Sequence, residues 1–195
     1  FIAAEDFFGK NQKRISLSEV KIGVNYVIIL NTNAGLWGYN IGDTVKFVST
    51  NPYKIIVSGR IKHFTSAFGE HVIAEEVESA LKEALEKIPA QVNEFHVAPQ
   101  VNPSKGLPYH EWFIEFEKEP EKIGDFKSLI DICLQKQNSY YEDLIVGGVL
   151  SPLEITVLRK TSFRKYMSSI GKLGGQNKVP RLANNRDIAD KLNRF

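Results

Sequence analysis

Cysteine is nearly missing from this chain of 195 residues, which contains Cys133 alone. A single cysteine excludes an internal disulfide and fits the reducing cytoplasm. Long apolar runs are missing as well, since no stretch approaches the roughly 20 residues that a membrane-spanning helix needs. The sequence therefore predicts a cytoplasmic protein with no membrane partner.

The start of the chain lacks both an initiating methionine and the features of a signal peptide. It reads Phe1-Ile-Ala-Ala-Glu5, without the basic residues and the apolar stretch of a secretory signal. We interpret Phe1 as a cut end and expect the chain to be a fragment of a longer polypeptide. Its composition, with 43% hydrophobic and 25% charged residues, is ordinary for a globular protein and argues against extensive disorder.

The net charge is only +2, but the charges are distributed unevenly. Residues 151–195 contain ten Lys or Arg and three Asp or Glu, whereas residues 1–150 contain fifteen and twenty. A basic segment of this kind attracts a nucleotide, a nucleic acid or an acidic partner domain, or it is simply a solvated surface. We expect no nucleic-acid partner, because the segment has no aromatic residues interleaved on a clear binding face.

Residues 1–68 have the patterns of β-structure. Residues 24–31 form an apolar, β-branched run typical of a strand, and side chains alternate imperfectly in a second strand that begins at Thr44. The Asn51-Pro52 pair predicts a turn, and residues 54–58 then form the return strand of a hairpin. This part of the chain is predicted to be mainly β.

The pattern changes at Gly69, where we expect the boundary between two domains, 1–68 and 69–195. Apolar residues recur at helical spacing from Val77 to Ile88, and Pro89 ends this amphipathic helix. The further predicted elements are strands at 94–101, 111–116 and 153–158 and helices at 126–134, 161–170 and 187–192. The fold class is therefore α+β, a β-rich segment followed by a small α+β domain.

An acidic and a basic residue are expected to meet in the hairpin. Asp43 follows a glycine-rich stretch, directly before the second strand, where a carboxylate can accept hydrogen bonds from both hydroxyls of a ribose. Arg60 ends the return strand, and its planar guanidinium can reach the same ribose or a phosphate. The alternatives are a simple Gly-Asp turn and a surface arginine paired with a local carboxylate.

Three segments around these residues resemble the closing motifs of the adenylate-forming superfamily, which contains luciferases, acyl-CoA synthetases and the adenylation domains of peptide synthetases. They are Gly35–Asp43, Gly59-Arg60 and Phe68–Glu70. Their order and spacing are similar to those of the Gretchen Hagen family of auxin-responsive acyl-acid amido synthetases. Further agreement with this family is found in Phe1–Glu5, Ser139–Asp143 and Gln176–Arg181, so the resemblance covers essentially the whole chain.

The resemblance implies nucleotide-binding roles for four residues. Asp43 matches the family's aspartate for the ribose hydroxyls, Arg60 matches an arginine that contacts the nucleotide, and Tyr39 belongs to the same motif as Asp43. His71 stands where plant members have a lysine near the nucleotide. This is a departure from the family, because a histidine is neutral much of the time near pH 7 and contacts phosphate well only when protonated.

The resemblance also implies a hinge and a catalytic residue. Phe68, Gly69 and Glu70 occupy the family's hinge, about which the C-terminal domain turns. Lys178 is the candidate for a lysine that reaches the α-phosphate or the carboxylate during adenylation, where its ammonium stabilises the developing negative charge. The motif around Lys178 differs from the usual one, so a loop lysine beside a proline is the alternative, and Arg181 is a lesser candidate.

The expected fold and reaction follow from the same resemblance. Residues 1–68 would end the large adenylation domain, and residues 69–195 would form its mobile lid. The parent enzyme would activate a carboxylic acid with ATP and Mg²⁺ and transfer the acyl group to an amine or an amino acid. The chain lacks the family's Ser/Thr-rich phosphate loop, adenine-binding turn and acid pocket, so we expect it to need an upstream adenylation domain and to be inactive alone.

Two other interpretations remain open from the sequence. The acyl group could pass to coenzyme A, as in acyl-CoA ligases, or the chain could belong to a non-catalytic module that binds a nucleotide or a partner protein. No metal site within the chain is predicted, because His63, His96 and His110 have no Cys or His partner at ligand spacing.

Overall fold

A computed structural model describes residues 1–7, 9, 12–61, 64–65, 67–174 and 177–195, and it describes only the backbone of residues 60, 64 and 65. The chain divides into two compact units, Phe1–Lys62 and His63–Phe195. Each unit has hydrophobic clusters of its own, and helices and strands are both well represented. The predicted α+β class is therefore confirmed, whereas the domain boundary between residues 68 and 69 stays a prediction.

The first unit is a four-stranded antiparallel sheet in the order β1-β2-β3-β4. Its strands are β1 (Ile2–Ala3), β2 (Asn25–Leu30), β3 (Tyr39–Thr50) and β4 (Tyr53–Arg60). Alternation along β3 buries Val45 and Phe47, which pack with Tyr26 of β2. The Phe47 and Tyr26 rings meet edge to face, with centroids 6.0 Å apart.

Strand β3 begins earlier than the sequence pattern indicates. It was expected to start at Thr44, after a turn at Gly42, but Tyr39 and Asn40 already pair with β2. The register shifts opposite Gly42, whose φ of 83° suits a glycine, so this residue lies in an irregularity of the strand instead of a turn. The expectation that Asp43 precedes the strand is therefore wrong, and Asp43 lies within β3.

The second unit contains five strands and five helices among its described residues. A short antiparallel pair, β5 (Phe64–Thr65) and β6 (Val72–Ile73), leads into a three-stranded sheet of β7 (Gln91–Gln100), β8 (Tyr109–Lys118) and β9 (Glu154–Leu158). Strands β7 and β8 are antiparallel, and β9 runs parallel to β8. The helices are α1 (Ala74–Lys87), α2 (Ile123–Gln137), α3 (Ser139–Val146), α4 (Ser162–Ser169) and α5 (Ala189–Leu192).

Both faces of the three-stranded sheet are covered, because successive side chains of a strand point to opposite faces. On β8, Trp112 and Ile114 pack with α1, α2 and α3, whereas Phe113 packs with α4 and α5. All three side chains are completely buried. None of the helices in the described ranges combines the length and the apolar character needed to cross a membrane.

Helix α3 was not predicted from the sequence. It begins after Asn138, whose side-chain oxygen accepts a hydrogen bond from the Tyr141 N–H at 2.8 Å. The Tyr141 hydroxyl in turn donates to Asp131 Oδ1 on α2 at 2.7 Å, and the same oxygen accepts the Leu153 N–H at 2.9 Å. Burial and the neighbouring Asp131 raise the pKa of Tyr141 well above its usual range, so the phenol stays protonated and donates.

Removal of this buried hydroxyl should destabilise the second unit. We expect Tyr141→Phe to lower the free energy of unfolding by about 2 kcal/mol, because Asp131 loses a hydrogen bond where water cannot replace it. Urea unfolding monitored by circular dichroism measures the effect. The matched control is Tyr140→Phe, which removes the same atom from an exposed position. If both substitutions lower the free energy of unfolding equally, the stabilising role of the hydrogen bond from Tyr141 to Asp131 is contradicted.

Candidate functional site

Asp43 and Arg60 are direct partners across the β3–β4 ladder. Thr44 pairs with Gly59 beside them, and the Ile61 N–H donates to the Gly42 carbonyl at 2.8 Å. The prediction that Asp43 and Arg60 lie on neighbouring strands is thus confirmed at the level of the backbone. Their contacts with a nucleotide stay a prediction, and the Arg60 side chain lies outside the described part of the structure.

Buried hydroxyls stabilise the ladder next to this pair. The Ser58 hydroxyl donates to Thr44 Oγ1 at 3.2 Å, and both side chains are almost fully buried. Gly59 has a φ of 143°, which a residue with a side chain rarely adopts. These contacts set the separation of the two strands, and Asp43 itself is half-buried at their junction.

The start of β3 presents aromatic side chains to solvent. Tyr39 is half exposed and Trp37, in the preceding loop, is 82% exposed. The Gly38 N–H donates to the Asn31 side chain at 2.7 Å, which fixes the loop just after the tryptophan. Tyr39 therefore remains a candidate for nucleotide contact, and Trp37 is an exposed aromatic neighbour that the sequence analysis did not single out.

The expected hinge segment is anchored within the second unit by a buried hydrogen bond between Glu70 and His110. Glu70 Oε1 accepts a hydrogen bond from His110 Nε2 at 2.9 Å, and both side chains are completely buried. The second carboxylate oxygen, Oε2, accepts the Phe68 N–H at 2.8 Å. Burial alone would raise the pKa of Glu70, but the hydrogen bonds and the charge of His110 outweigh it and lower that pKa.

The backbone around Glu70 adopts left-handed conformations on both sides. Gly69 has a φ of 93° and His71 has a φ of 48°. This conformation is easy for glycine and costs a residue with a side chain about 1 kcal/mol or more. The His71 side chain is half-buried, and its role at a nucleotide is untested. The hinge function of Phe68, Gly69 and Glu70 likewise stays a prediction.

Lys178 is exposed and lines an open cleft of about 290 Å³ in the second unit. The same cleft is lined by two further cations, Arg164 and Lys172, and by the carboxylates of Glu94 and Glu115. An anionic group such as a phosphate is attracted by three cationic side chains at one opening. The cleft is thus compatible with the adenylation role expected of Lys178.

Arg181, the lesser candidate, is engaged in the packing of the unit. Its guanidinium forms ion pairs with Glu94 and, at 3.6 Å, with Glu78, and it stacks over the Phe95 ring at 4.7 Å. These contacts give Arg181 a structural role. The neighbouring Gln176 of the same motif lies outside the described residues.

The histidines considered for a metal site have other contacts. His110 binds Glu70, and His96 Nδ1 lies 2.7 Å from the Pro180 carbonyl oxygen, while His63 lies outside the described residues. Within the described ranges, no group of three or more His, Cys, Asp or Glu side chains is arranged to hold a metal ion. Sequence reasoning missed the Glu70–His110 pair because 40 residues separate its members.

The fold matches that of a solved acyl acid amido synthetase. The chain superimposes on the structure called GH3.15 acyl acid amido synthetase with a TM-score of 0.69 and 21% identity, over 92% of this chain and 33% of that one. The sequence matches the GH3 family C-terminal domain at residues 75–187 and the GH3 family central domain at residues 1–60. The chain therefore belongs to the GH3 family, as its motifs predicted.

Plant enzymes are among its relatives. Indole-3-acetic acid-amido synthetase GH3.10 of Arabidopsis thaliana is 28% identical over 93% of this chain. Jasmonoyl--L-amino acid synthetase GH3.5 of Oryza sativa subsp. japonica is 24% identical over 87%. The chain spans 32% and 30% of the lengths of these two relatives.

The buried Glu70 carboxylate makes stability depend on pH. Because its pKa is lower in the folded than in the unfolded chain, it stabilises the fold above about pH 4.3, and this contribution is lost as the pH falls through the folded-state pKa. We expect Glu70→Gln to lower the free energy of unfolding by about 2 kcal/mol at pH 7. The difference in the free energy of unfolding between Glu70→Gln and wild type should shrink below about pH 4.

Urea unfolding at pH 7, 5 and 3.5 tests this expectation. Glu121→Gln, which removes an exposed carboxylate, is the control and should leave the unfolding midpoint unchanged. A Glu70→Gln deficit that stays constant across this range would show that the Glu70 charge is not the stabilising element.

Proposed function

We propose that this chain forms the C-terminal part of an ATP-dependent acyl-acid amido synthetase and contributes nucleotide contacts and a catalytic lysine. The observation that carries the proposal is the register of β3 and β4, which pairs Asp43 with Arg60 in a chain that matches both GH3 domains. The names of the relatives, amido synthetases and an amino acid synthetase, favour an amine over coenzyme A as the acyl acceptor.

The proposed reaction has two steps. A carboxylate oxygen of the acid attacks the α-phosphorus of ATP, an acyl–adenylate bond forms, and pyrophosphate leaves. The nitrogen of an amine or amino acid then attacks the acyl carbon, AMP leaves, and the nitrogen loses a proton as the amide forms. The relatives' names contain indole-3-acetic acid and a jasmonoyl group, so we propose organic carboxylic acids as the substrate class, and the experiment identifies the acid used by this protein.

Asp43 serves the nucleotide sugar in this proposal. A carboxylate accepts hydrogen bonds from two vicinal hydroxyls, and a half-buried position strengthens such bonds. Its backbone is held by the ladder, so the carboxylate loses little freedom when ATP binds. Arg60 contacts the ribose or a phosphate from the adjacent strand, with Tyr39 beside the nucleotide.

Lys178 serves the first step. Its ammonium stabilises the negative charge that develops on the phosphoryl group, and Arg164 and Lys172 add positive potential at the same cleft. His71 supplies a further phosphate contact when it is protonated. The hinge consists of Phe68, Gly69 and Glu70. It joins a region ending at residue 68 to a mobile lid of residues 69–195, and the lid turns between the two reaction steps.

The Mg²⁺ that accompanies ATP is not assigned to this chain. Magnesium prefers several oxygen ligands in an octahedral arrangement, and the described residues provide no carboxylate cluster for it. We place the metal ligands, the acid pocket and the adenine-binding turn in an upstream adenylation domain. The buried thiol of Cys133 is consistent with a cytoplasmic location.

The test of the proposed amido synthetase activity is pyrophosphate release by the full-length polypeptide. Release is measured over a panel of aryl and alkyl acids, with and without amino acids. Asp43→Ala should raise the KM for ATP roughly thirtyfold, because about 2 kcal/mol of hydrogen bonding to the ribose is lost. Lys178→Ala should lower kcat about a hundredfold with a smaller change in KM. The chain of 195 residues alone should release no pyrophosphate.

Two control variants accompany these measurements. Asp125→Ala and Lys136→Ala each remove an exposed charge on α2 and should retain wild-type rates. Thioester formation with coenzyme A in place of amide formation would support the ligase alternative. Binding of ATP without release from any acid would support a non-catalytic module and contradict the proposed function.

A further inference from the structure

The segment that follows Lys178 is held against β7 by an isolated parallel β-bridge. The Val97 N–H donates to the Arg181 carbonyl at 2.8 Å, and the Ala183 N–H donates to the Val97 carbonyl at 2.9 Å. Leu182 pairs with Val97 in a parallel bridge and is completely buried. The residues after Lys178 therefore have a fixed position even though residues 177–180 form neither helix nor strand.

Pro180 lies just before this bridge and takes no part in it, because the two bonds to Val97 use the Arg181 carbonyl and the Ala183 N–H. The Pro180 carbonyl has a side-chain donor instead. The donor is on β7: His96 Nδ1 lies 2.7 Å from the Pro180 oxygen, and because a carbonyl only accepts, Nδ1 carries the proton.

His96 is completely buried and does not line the cleft that contains Lys178. Its ring lies beside its cross-strand partner Phe113, with centroids 6.4 Å apart, in the cluster that also contains Val179. A buried ring outside the cleft does not exchange protons with a substrate there. Its contact with the segment two residues beyond Lys178 instead fixes where the lysine backbone lies.

We propose that His96 is a positioning residue for the adenylation step. Its hydrogen bond to Pro180 holds the Lys178 loop, residues 177–180, at the cleft. This inference rests on the proposed function of Lys178. Loss of the donor removes the hydrogen bond that ties this loop to β7 and lets the loop sample more positions, so the ammonium is less often placed at the phosphoryl group. The acyl-transfer step, which does not use Lys178, should be insensitive to His96.

Two substitutions separate the hydrogen bond from the rest of the ring. His96→Asn keeps an N–H donor near the position of Nδ1, whereas His96→Leu fills the space without a donor. In the full-length polypeptide we expect His96→Leu to lower kcat for acid-dependent pyrophosphate release on the order of tenfold, with the KM for the acid unchanged. Amide formation from pre-formed acyl-adenylate should stay within about twofold of wild type, and His96→Asn should restore most of the first step.

The double variant of His96→Leu with Lys178→Ala gives the decisive comparison. If His96 acts through Lys178, the double variant is no slower in pyrophosphate release than Lys178→Ala alone. If the rate losses of the two single variants multiply in the double variant, the proposal is overturned. It is also overturned if His96→Leu and His96→Asn lose equal activity in both reaction steps. If Lys178→Ala slows pyrophosphate release and His96→Leu does not, this inference alone is refuted. If Lys178→Ala releases pyrophosphate at the normal rate, the proposed function of Lys178 is refuted as well.

Hydrogen exchange gives a readout that does not depend on turnover. Exchange of the Ala183 and Val97 amides, which donate the two bonds between this segment and β7, should accelerate in His96→Leu and remain near wild type in His96→Asn. These bonds open when the segment loosens. Unchanged exchange in His96→Leu would contradict the proposal. Should the leucine variant fail to fold, His96→Gln, whose donor lies near the position of Nε2 instead of Nδ1, takes its place with the same expected effects.

Discussion

The fold of the second unit depends on the burial of β8 on both faces. Trp112 and Phe113 are adjacent in sequence, point to opposite sides of the sheet and are both inaccessible to solvent. Helices must therefore cover both faces of the sheet, and a polar side chain of β8 is costly to bury unless a protein group binds it. This requirement determines which distant segments are attached to the sheet.

Three buried polar residues of β8 form such contacts, and each contacts a different part of the chain. His110 binds Glu70 and so anchors the segment that begins the unit. Glu111 accepts from Thr156 and pairs with Arg186 at 2.9 Å, which holds the C-terminal residues. Glu115 accepts the Phe163 N–H at the start of α4. The segment around Glu70 and the wall of the Lys178 cleft are thus attached to one strand by buried polar contacts.

The sequence predicted those features that local patterns encode. A hairpin brings together residues close in the chain, so the adjacency of Asp43 and Arg60 was predictable. The strand that contains Trp112 was predictable as well. The early start of β3 was not, because Gly42 looks like a turn and pairing with β2 overrides that preference. Contacts such as His96 with Pro180, across 84 residues, carry no local signal, since either residue alone is ordinary in a strand or a loop.

Asp43 in the first unit and Lys178 in the second illustrate different ways of fixing a candidate functional side chain. Asp43 is placed by the register of its own strand, so its position follows from its immediate neighbours. Lys178 has no secondary structure of its own and is placed by tertiary contacts of the residues after it with β7. A catalytic group on a loop can move between two steps of a reaction, and it is effective in one of them only if something rigid defines its position there. The β-bridge at Leu182 provides that definition, while the Lys178 side chain itself is exposed.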